Sequence, residues 1–205
     1  MKIFEGNKDY NKSAFLNWRL GKEEAIVNLM NIGEGFLGSA LSLADLCLAN
    51  NDDKKADILI FPILHNLNHG IELYLKAMSW TLNLLNGNNI KFEETHDIMQ
   101  LYSMVKAKIK KLKGKEYLKT FDASNANLAE YLDELYAKIS TVGGRSKMDF
   151  SRYPLTTAGD NHFYLNTSDN VEVNLEYLKS SIEKIKDSLD ERLSHLYYQE
   201  LKGEW

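Results

Sequence analysis

The sequence has few cysteines, few prolines and little net charge, and these scarcities limit the kinds of protein that it can be. Its one cysteine, Cys47, rules out a disulfide framework and a cysteine-based zinc site. Its two prolines favour long, uninterrupted elements. The formal net charge of −4 over 205 residues argues against a nucleic-acid binder that is basic throughout, but it leaves local basic patches open.

Long hydrophobic runs are also missing. The longest unbroken apolar run, ILIFPIL at 58–64, is far shorter than the roughly 20 residues that cross a bilayer. The initial MKIFEGNKDYNK contains no apolar signal segment. We therefore expect a cytoplasmic protein that does not bind membranes. The length and the 44% hydrophobic content predict a single domain over 1–205, with residues 1–21 as an N-terminal extension.

Apolar residues recur at three- and four-residue steps along most of the chain, which predicts helices. A third helix has Thr95 as its N-cap, with His96 and Asp97 in the first turn. Residues 141–170 form a long loop, which in a compact domain is usually functional or mobile. The fold class is therefore all-α, an up-and-down bundle of four to five helices with a long loop before the last helix. The other predicted helices cover 22–49, 55–85, 125–140 and 171–201.

Three glycines and one proline lie inside the predicted helices, where they affect the local helix geometry. Gly33, Gly35 and Gly38 lie within the first helix, where each costs up to ~1 kcal/mol relative to alanine. We expect the close approach of another backbone to compensate that cost. Pro62 lies within the second helix, and it predicts either a kink or a helix that begins near Phe61.

Four ionisable residues form a stripe on the second helix. His65, His69, Glu72 and Lys76 are spaced so that they share one narrow strip of an otherwise apolar helix. Buried charges need partners, and three interpretations stay open. The stripe is a structural network with a Glu72–Lys76 pair, a functional cleft, or a metal site built from both histidines and Glu72. The zincin pattern is absent, and we assign neither a metal nor another cofactor.

Three segments, in this order along the chain, resemble a bacterial branch of the HEPN superfamily. They are PILHNLNHGIELYLKA (62–77), THDIMQLYSMV (95–105) and DFSRYP (149–154). The resemblance implies a helical bundle, often dimeric, that belongs to a prokaryotic defence or toxin–antitoxin system. It also implies that particular residues belong to the family's motifs: His69, Glu72 and Lys76, then His96 and Asp97, then Phe150, Arg152, Tyr153 and Pro154, with Ser151 as an insertion.

Many HEPN proteins are metal-independent ribonucleases, and the resemblance implies this activity for a catalytic member. Their signature is an arginine followed, after four to six residues, by a histidine that serves as general acid or base near the start of the last helix. No pair here has that spacing, since two residues separate Arg192 from His195 and nine separate Arg152 from His162. We name Arg192 and His195 as a degenerate catalytic pair. The alternative is that Arg192 reaches water at the end of the bundle.

The long loop supplies a further candidate. Arginine suits bidentate recognition of phosphate or carboxylate, so Arg152 either binds a ligand or pairs with a buried acid such as Glu72. We expect the loop to fold over the stripe and the start of the third helix. The predicted polar cluster then contains His65, His69, Glu72, Lys76, His96, Asp97, Arg152 and Tyr153.

Seven lysines lie within 106–119, and Lys106, Lys110 and Lys113 are the candidate nucleic-acid contacts. The alternative is a solvated helix end in which lysine is favoured by the helix dipole. The leading functional hypothesis is a HEPN-like defence or toxin–antitoxin protein that binds RNA or a nucleotide-like ligand, with a homodimer and an antitoxin protein as partners. The second hypothesis is a non-enzymatic dimerising or adaptor module whose polar cluster is structural.

Overall fold

The computed structural model describes residues 3–139, 148–156 and 158–204. Over these residues the secondary structure is helical, and the one β-type pairing is an isolated antiparallel bridge between Leu155 and Asn161. The prediction of an all-α bundle with a long loop before the last helix is confirmed. The helices are α1 (Ala25–Ala49), α2 (Ala56–Leu85), α3 (Ile98–Ser124), α4 (Ala126–Ile139) and α5 (Leu175–Ser194), which continues as a π-helical segment, His195–Leu201.

The start of α3 differs from the prediction. Asp97 is the N-cap, and its side chain accepts a hydrogen bond of 2.9 Å from the backbone N–H of Gln100. Thr95 lies outside the helix, where its hydroxyl accepts from the backbone N–H of Asp97. A carboxylate at this position both caps the helix and complements the positive end of its dipole. As a result, His96 lies outside α3 instead of in its first turn.

Proline does not interrupt α2. The helix begins at Ala56 and continues through Pro62, so the expectation that it begins near Phe61 is wrong. Proline lacks the N–H that would bond to the carbonyl of Ile58, four residues earlier. Ile58 lies on the outer face of the helix with 74% of its surface exposed, where water can satisfy that carbonyl.

A glycine divides α3 instead. Gly114 has φ 84° and ψ −179°, a backbone conformation that glycine adopts without steric penalty, and the helix axis changes direction there. The segment after the bend brings Phe121 into the core.

The centre of the bundle is α2, which packs against α1, α3 and α5, while α4 packs against α3 and α5. Its apolar faces bury side chains on several sides, as the sequence predicted. On α5 the buried apolar side chains include Leu189 and Leu193, and Arg192 lies beside them outside this buried set. Fully buried side chains include Leu37, Cys47, Ile63, Leu67, Leu75, Met78, Leu101, Ile109, Leu132, Ile182 and Leu189.

Within the described residues, α1 is the one helix whose length and hydropathy would suffice to cross a membrane, and 28% of its apolar window is buried. Its buried face packs against α2 and α5. Close helix packing explains one of its glycines: a Cβ on Gly33 would lie 3.0 Å from the ring of Tyr74. The same expectation is wrong for Gly35 and Gly38, where a Cβ would meet no atom within 4 Å.

The tightest part of this helix crossing is at Gly70 of α2. A Cβ there would lie 2.6 Å from Cγ of the buried Leu37 and 3.2 Å from the backbone oxygen of Gly33. We predict that Gly70→Ala lowers the free energy of unfolding by about 1–3 kcal/mol, because neither group can move without disturbing the core. Gly35→Ala is the matched control, and it should leave stability unchanged or raise it by up to ~1 kcal/mol. Urea denaturation followed by circular dichroism measures both, and equal effects would contradict the prediction.

Candidate functional site

The carboxylate of Glu72 is the centre of the polar stripe. It forms an ion pair of 2.9 Å with Lys76, one helical turn further along α2. It also lies 2.8 Å from Nδ1 of His96, which precedes α3, and 3.6 Å from Nδ1 of His69. The Glu72–Lys76 pair of the structural interpretation is therefore present, and the contacts of Glu72 link α2 to the start of α3.

This environment keeps Glu72 ionised. Burial by itself raises the pKa of the Glu72 carboxyl group, but the interactions with His69, Lys76 and His96 outweigh burial and lower the pKa to about 2. The carboxylate is therefore only an acceptor, and Nδ1 of His96 must carry the proton that lies between them. Glu72 therefore orients the imidazole of His96 and leaves Nε2 of the ring free. The side chain of His96 is 80% exposed.

A cleft of about 580 Å³ opens beside this network. Arg152 reaches it from the loop before α5, where the backbone N–H groups of Arg152 and Tyr153 both donate to the carbonyl oxygen of Asp149. In the described part of the loop, Met148 and Arg152 therefore share the cleft with residues of the stripe. The residues that line the cleft are Phe36, His65, Asn68, His69, Glu72, His96, Ile98, Met148 and Arg152.

Arg152 does not pair with Glu72. Its side chain is exposed and has no ion pair in the described part of the chain, and the centroid of the Tyr153 ring lies 5.7 Å from the guanidinium carbon. The positive charge of the Arg152 guanidinium affects the neighbouring imidazole of His65. Burial lowers the pKa of His65, and the nearby Arg152 and His69 lower it further. His65 is therefore a neutral imidazole at neutral pH.

Asn68 was not singled out from the sequence, yet it lines the same cleft. The hydroxyl of Tyr131 donates a hydrogen bond of 2.6 Å to Oδ1 of Asn68, and this bond orients the amide. The Nδ2 group of Asn68 is buried without a hydrogen-bond partner in the described part of the chain. Phe36 is also new, and its ring packs edge-on against His69 with centroids 4.4 Å apart. The α2 spacing could have indicated Asn68, because it lies between His65 and Glu72.

Three members of the predicted cluster lie outside the cleft. Lys76 is buried beneath Phe92, with its ammonium 5.5 Å from the ring centroid. Asp97 caps α3 and accepts a hydrogen bond of 2.6 Å from Tyr136. Tyr153 is largely exposed beside Arg152. The metal interpretation has no support, since the described residues contain no group of three or more potential ligands that could hold an ion.

Arg192 and His195 also lie away from the cleft. Arg192 donates a hydrogen bond of 3.0 Å to Ser124 at the end of α3, so it is tied to the bundle and does not simply extend into water. His195 contacts Gln199 and Glu200 within its own helical segment. Their side chains have different partners, and a catalytic role for the pair stays a prediction.

Two of the three candidate nucleic-acid contacts on α3 are paired with acidic side chains. Lys106 forms an ion pair of 2.8 Å with Asp122, and Lys113 pairs with Glu200. Lys110 is exposed and has no ion pair in the described residues. Paired lysines offer less positive charge to a polyanion, which favours the interpretation of this surface as a solvated helix.

No protein-family model, curated protein or solved structure matches this chain. The resemblance to the HEPN superfamily therefore stays a prediction that rests on the three sequence segments.

The Glu72 network generates a prediction about acid stability. Its lowered pKa stabilises the fold above the unfolded value of 4.5, and this contribution is lost as the pH falls from there towards 2. We expect the free energy of unfolding to decline over that range in the wild type and to decline less in Glu72→Gln. The same substitution leaves Lys76 buried without its counter-charge and should cost about 3–5 kcal/mol at neutral pH.

The double variant Glu72→Gln/Lys76→Met tests whether this cost comes from the unpaired ammonium of Lys76, because it removes that ammonium as well. It should recover much of the stability that the single variant loses. Denaturant titrations at several pH values measure all three proteins. A single variant as stable as the wild type would show that Glu72 does not hold the network together.

Proposed function

We propose that this chain is a HEPN-like protein of a prokaryotic defence or toxin–antitoxin system, and that the cleft beside α2 binds the phosphate of an RNA or a nucleotide-like ligand. The observation that carries the proposal is Arg152. Its guanidinium is exposed at the cleft and has no acidic partner in the described part of the chain. A free arginine in a cleft favours an anionic ligand.

The other groups at the cleft support the same ligand class. The one carboxylate there, Glu72, is already engaged by Lys76 and His96, so it offers little to a cationic ligand. Asn68 contributes a buried donor without a partner. Phe36 and the parallel rings of His65 and His69, whose centroids are 6.1 Å apart, provide an aromatic wall that suits a base.

Arg152→Ala tests the binding proposal. Because one charged hydrogen-bond donor contributes about 1.5–3 kcal/mol, we expect the dissociation constant for a fluorescein-labelled single-stranded RNA to rise about ten- to a hundredfold. Fluorescence anisotropy measures the affinity, and competition with a nucleoside monophosphate shows whether a single nucleotide suffices.

Lys110→Ala is the matched control, since it removes one exposed cation outside the cleft, and it should change the affinity less than threefold, about the size of an isolated surface contact. Equal losses in Arg152→Ala and Lys110→Ala would contradict a ligand site in the cleft. They would indicate binding along the lysines of α3 instead.

Cleavage, where it occurs, should depend on His96 and not on His195. Glu72 orients His96 and would stabilise the imidazolium that forms when Nε2 takes a proton. We therefore expect cleavage of total RNA in EDTA to survive His195→Ala and to be lost in His96→Ala. The opposite result would support the degenerate pair of Arg192 and His195. RNA binding without cleavage in the wild type would limit the function to binding.

A non-enzymatic dimerising or adaptor module is the second candidate. It is favoured by the apolar side chains that precede α1 and lie in solvent, among them Phe4, Leu16 and Trp18. If Arg152→Ala lowers the free energy of unfolding and RNA affinity is absent in the wild type, the polar cluster is structural and this candidate is preferred. The first proposal includes a cytoplasmic location and two partners, a second copy of the chain and an antitoxin protein. Co-purification with the product of the neighbouring gene tests the antitoxin partner.

A further inference from the structure

The segment that precedes α1 contributes little to the core of its own chain. We call residues 3–22 the N-terminal arm. Its aromatic rings pack mainly on one another, with Phe15 5.3 Å from Tyr10 and 5.5 Å from Trp18 between ring centroids. Leu16 and Trp18 nevertheless remain 78% and 68% exposed. Apolar side chains clustered in solvent in this way indicate a surface that a partner covers.

A second apolar surface lies elsewhere on the molecule, between α4 and the start of α5. We call it the α4–α5 groove; it is open to solvent, and its volume is about 190 Å³. Tyr131, Phe150 and Phe163 contribute aromatic side chains, and Val173 and Tyr177 are partly open to solvent. The groove is large enough for one or two apolar side chains and too small for a larger ligand to be buried in it.

The two surfaces carry opposite charge. In the arm, the four basic residues exceed the two acidic residues, which leaves a charge of about +2 at neutral pH. The groove is lined by three glutamates and one lysine, which gives it a charge of about −2 at neutral pH. Opposite charge around apolar surfaces favours association and selects its register. The charged residues are Lys8, Lys12, Arg19 and Lys22 with Glu5 and Asp9 in the arm, and Glu130, Glu134 and Glu172 with Lys138 in the groove.

The arm of a chain cannot place Trp18 in its own groove. Asn31 on α1 donates a hydrogen bond of 2.6 Å to the carbonyl of Arg19, so the root of the arm is held near Gly33 and therefore near Tyr74. The groove includes Leu64, ten residues before Tyr74 on α2, which corresponds to ~15 Å along the helix. One residue advances the chain by only ~3.8 Å, so Trp18 cannot cross that distance while Arg19 stays bound.

We propose that the N-terminal arm of one copy of this chain docks in the α4–α5 groove of a second copy. Leu16 and Trp18 enter the apolar part of the groove, while Arg19 and Lys22 face the glutamates on its rim. The inference is independent of the phosphate cleft, because no arm residue lines that cleft. RNA binding and arm docking can therefore fail separately.

Sedimentation equilibrium of the full chain tests the proposal. We expect a dimer in the wild type, and we expect Leu16→Ala/Trp18→Ala to raise its dissociation constant about tenfold or more, because buried aromatic anchors dominate interfaces. Ile58→Ala is the control, since Ile58 is equally exposed but lies in neither surface. A wild-type monomer over the whole concentration range, or a dimer unchanged by the double substitution, would overturn the proposal.

Charge reversal gives a second test on the other surface. Glu130→Lys/Glu134→Lys should weaken the dimer, and raised salt should weaken the wild-type dimer in the same direction. Glu94→Lys/Glu191→Lys changes the net charge equally at exposed positions outside the groove, and it should leave the dimer unchanged. Equal effects of both pairs would show that net charge acts without docking, and the proposal would be wrong.

Crosslinking identifies which chain supplies the arm, because the only native cysteine, Cys47, is buried. In the variant Asn17→Cys/Asn127→Cys, which keeps both anchors and places one cysteine in the arm and one in the groove, we expect oxidation to produce a covalent dimer at twice the monomer mass. A disulfide within one chain would show docking in cis and overturn the proposal. A monomer whose arm instead binds anionic phospholipid vesicles would also overturn it, since the occupant would then be a membrane.

Discussion

The buried ion pair between Glu72 and Lys76 is the constraint on which the polar part of this bundle depends. Lys76 has only 8% of its side-chain surface exposed, so removing the carboxylate would leave an uncompensated charge in the interior. The same carboxylate holds His96, which lies outside α3 on the connection from α2. One side chain thereby neutralises a buried charge and fixes the position of a loop residue.

The engagement of Glu72 also sets the chemistry of the neighbouring cleft. A carboxylate that already accepts from Lys76 and His96 contributes little acceptor capacity to a ligand. What remains at the surface of the cleft is Arg152 and the imidazoles, while the amide of Asn68 is buried. The interactions that stabilise the fold neutralise the carboxylate of Glu72, and they leave the hydrogen-bond donors of Arg152 exposed at the cleft.

The structure brings predicted residues together where helical geometry decides their placement. His65, His69 and Glu72 share a face because their spacing follows the helical repeat, and that holds in any packing of α2. Arg152 was connected to them through the family resemblance, and the turn at Asp149 brings it there. The prediction assigned too many residues to the cleft, since Asp97 serves as a helix cap and Lys76 lies beneath Phe92.

The sequence by itself determined the helices, their apolar faces and the polar stripe on α2, because these follow from local periodicity and from the types of side chain. Tertiary structure decided that Gly33 meets Tyr74 while Gly35 faces open space. It also decided that Tyr131 orients Asn68, from 63 residues away along the chain. These outcomes depend on how neighbouring helices cross, and a helical repeat specifies which residues share a face without specifying what that face meets.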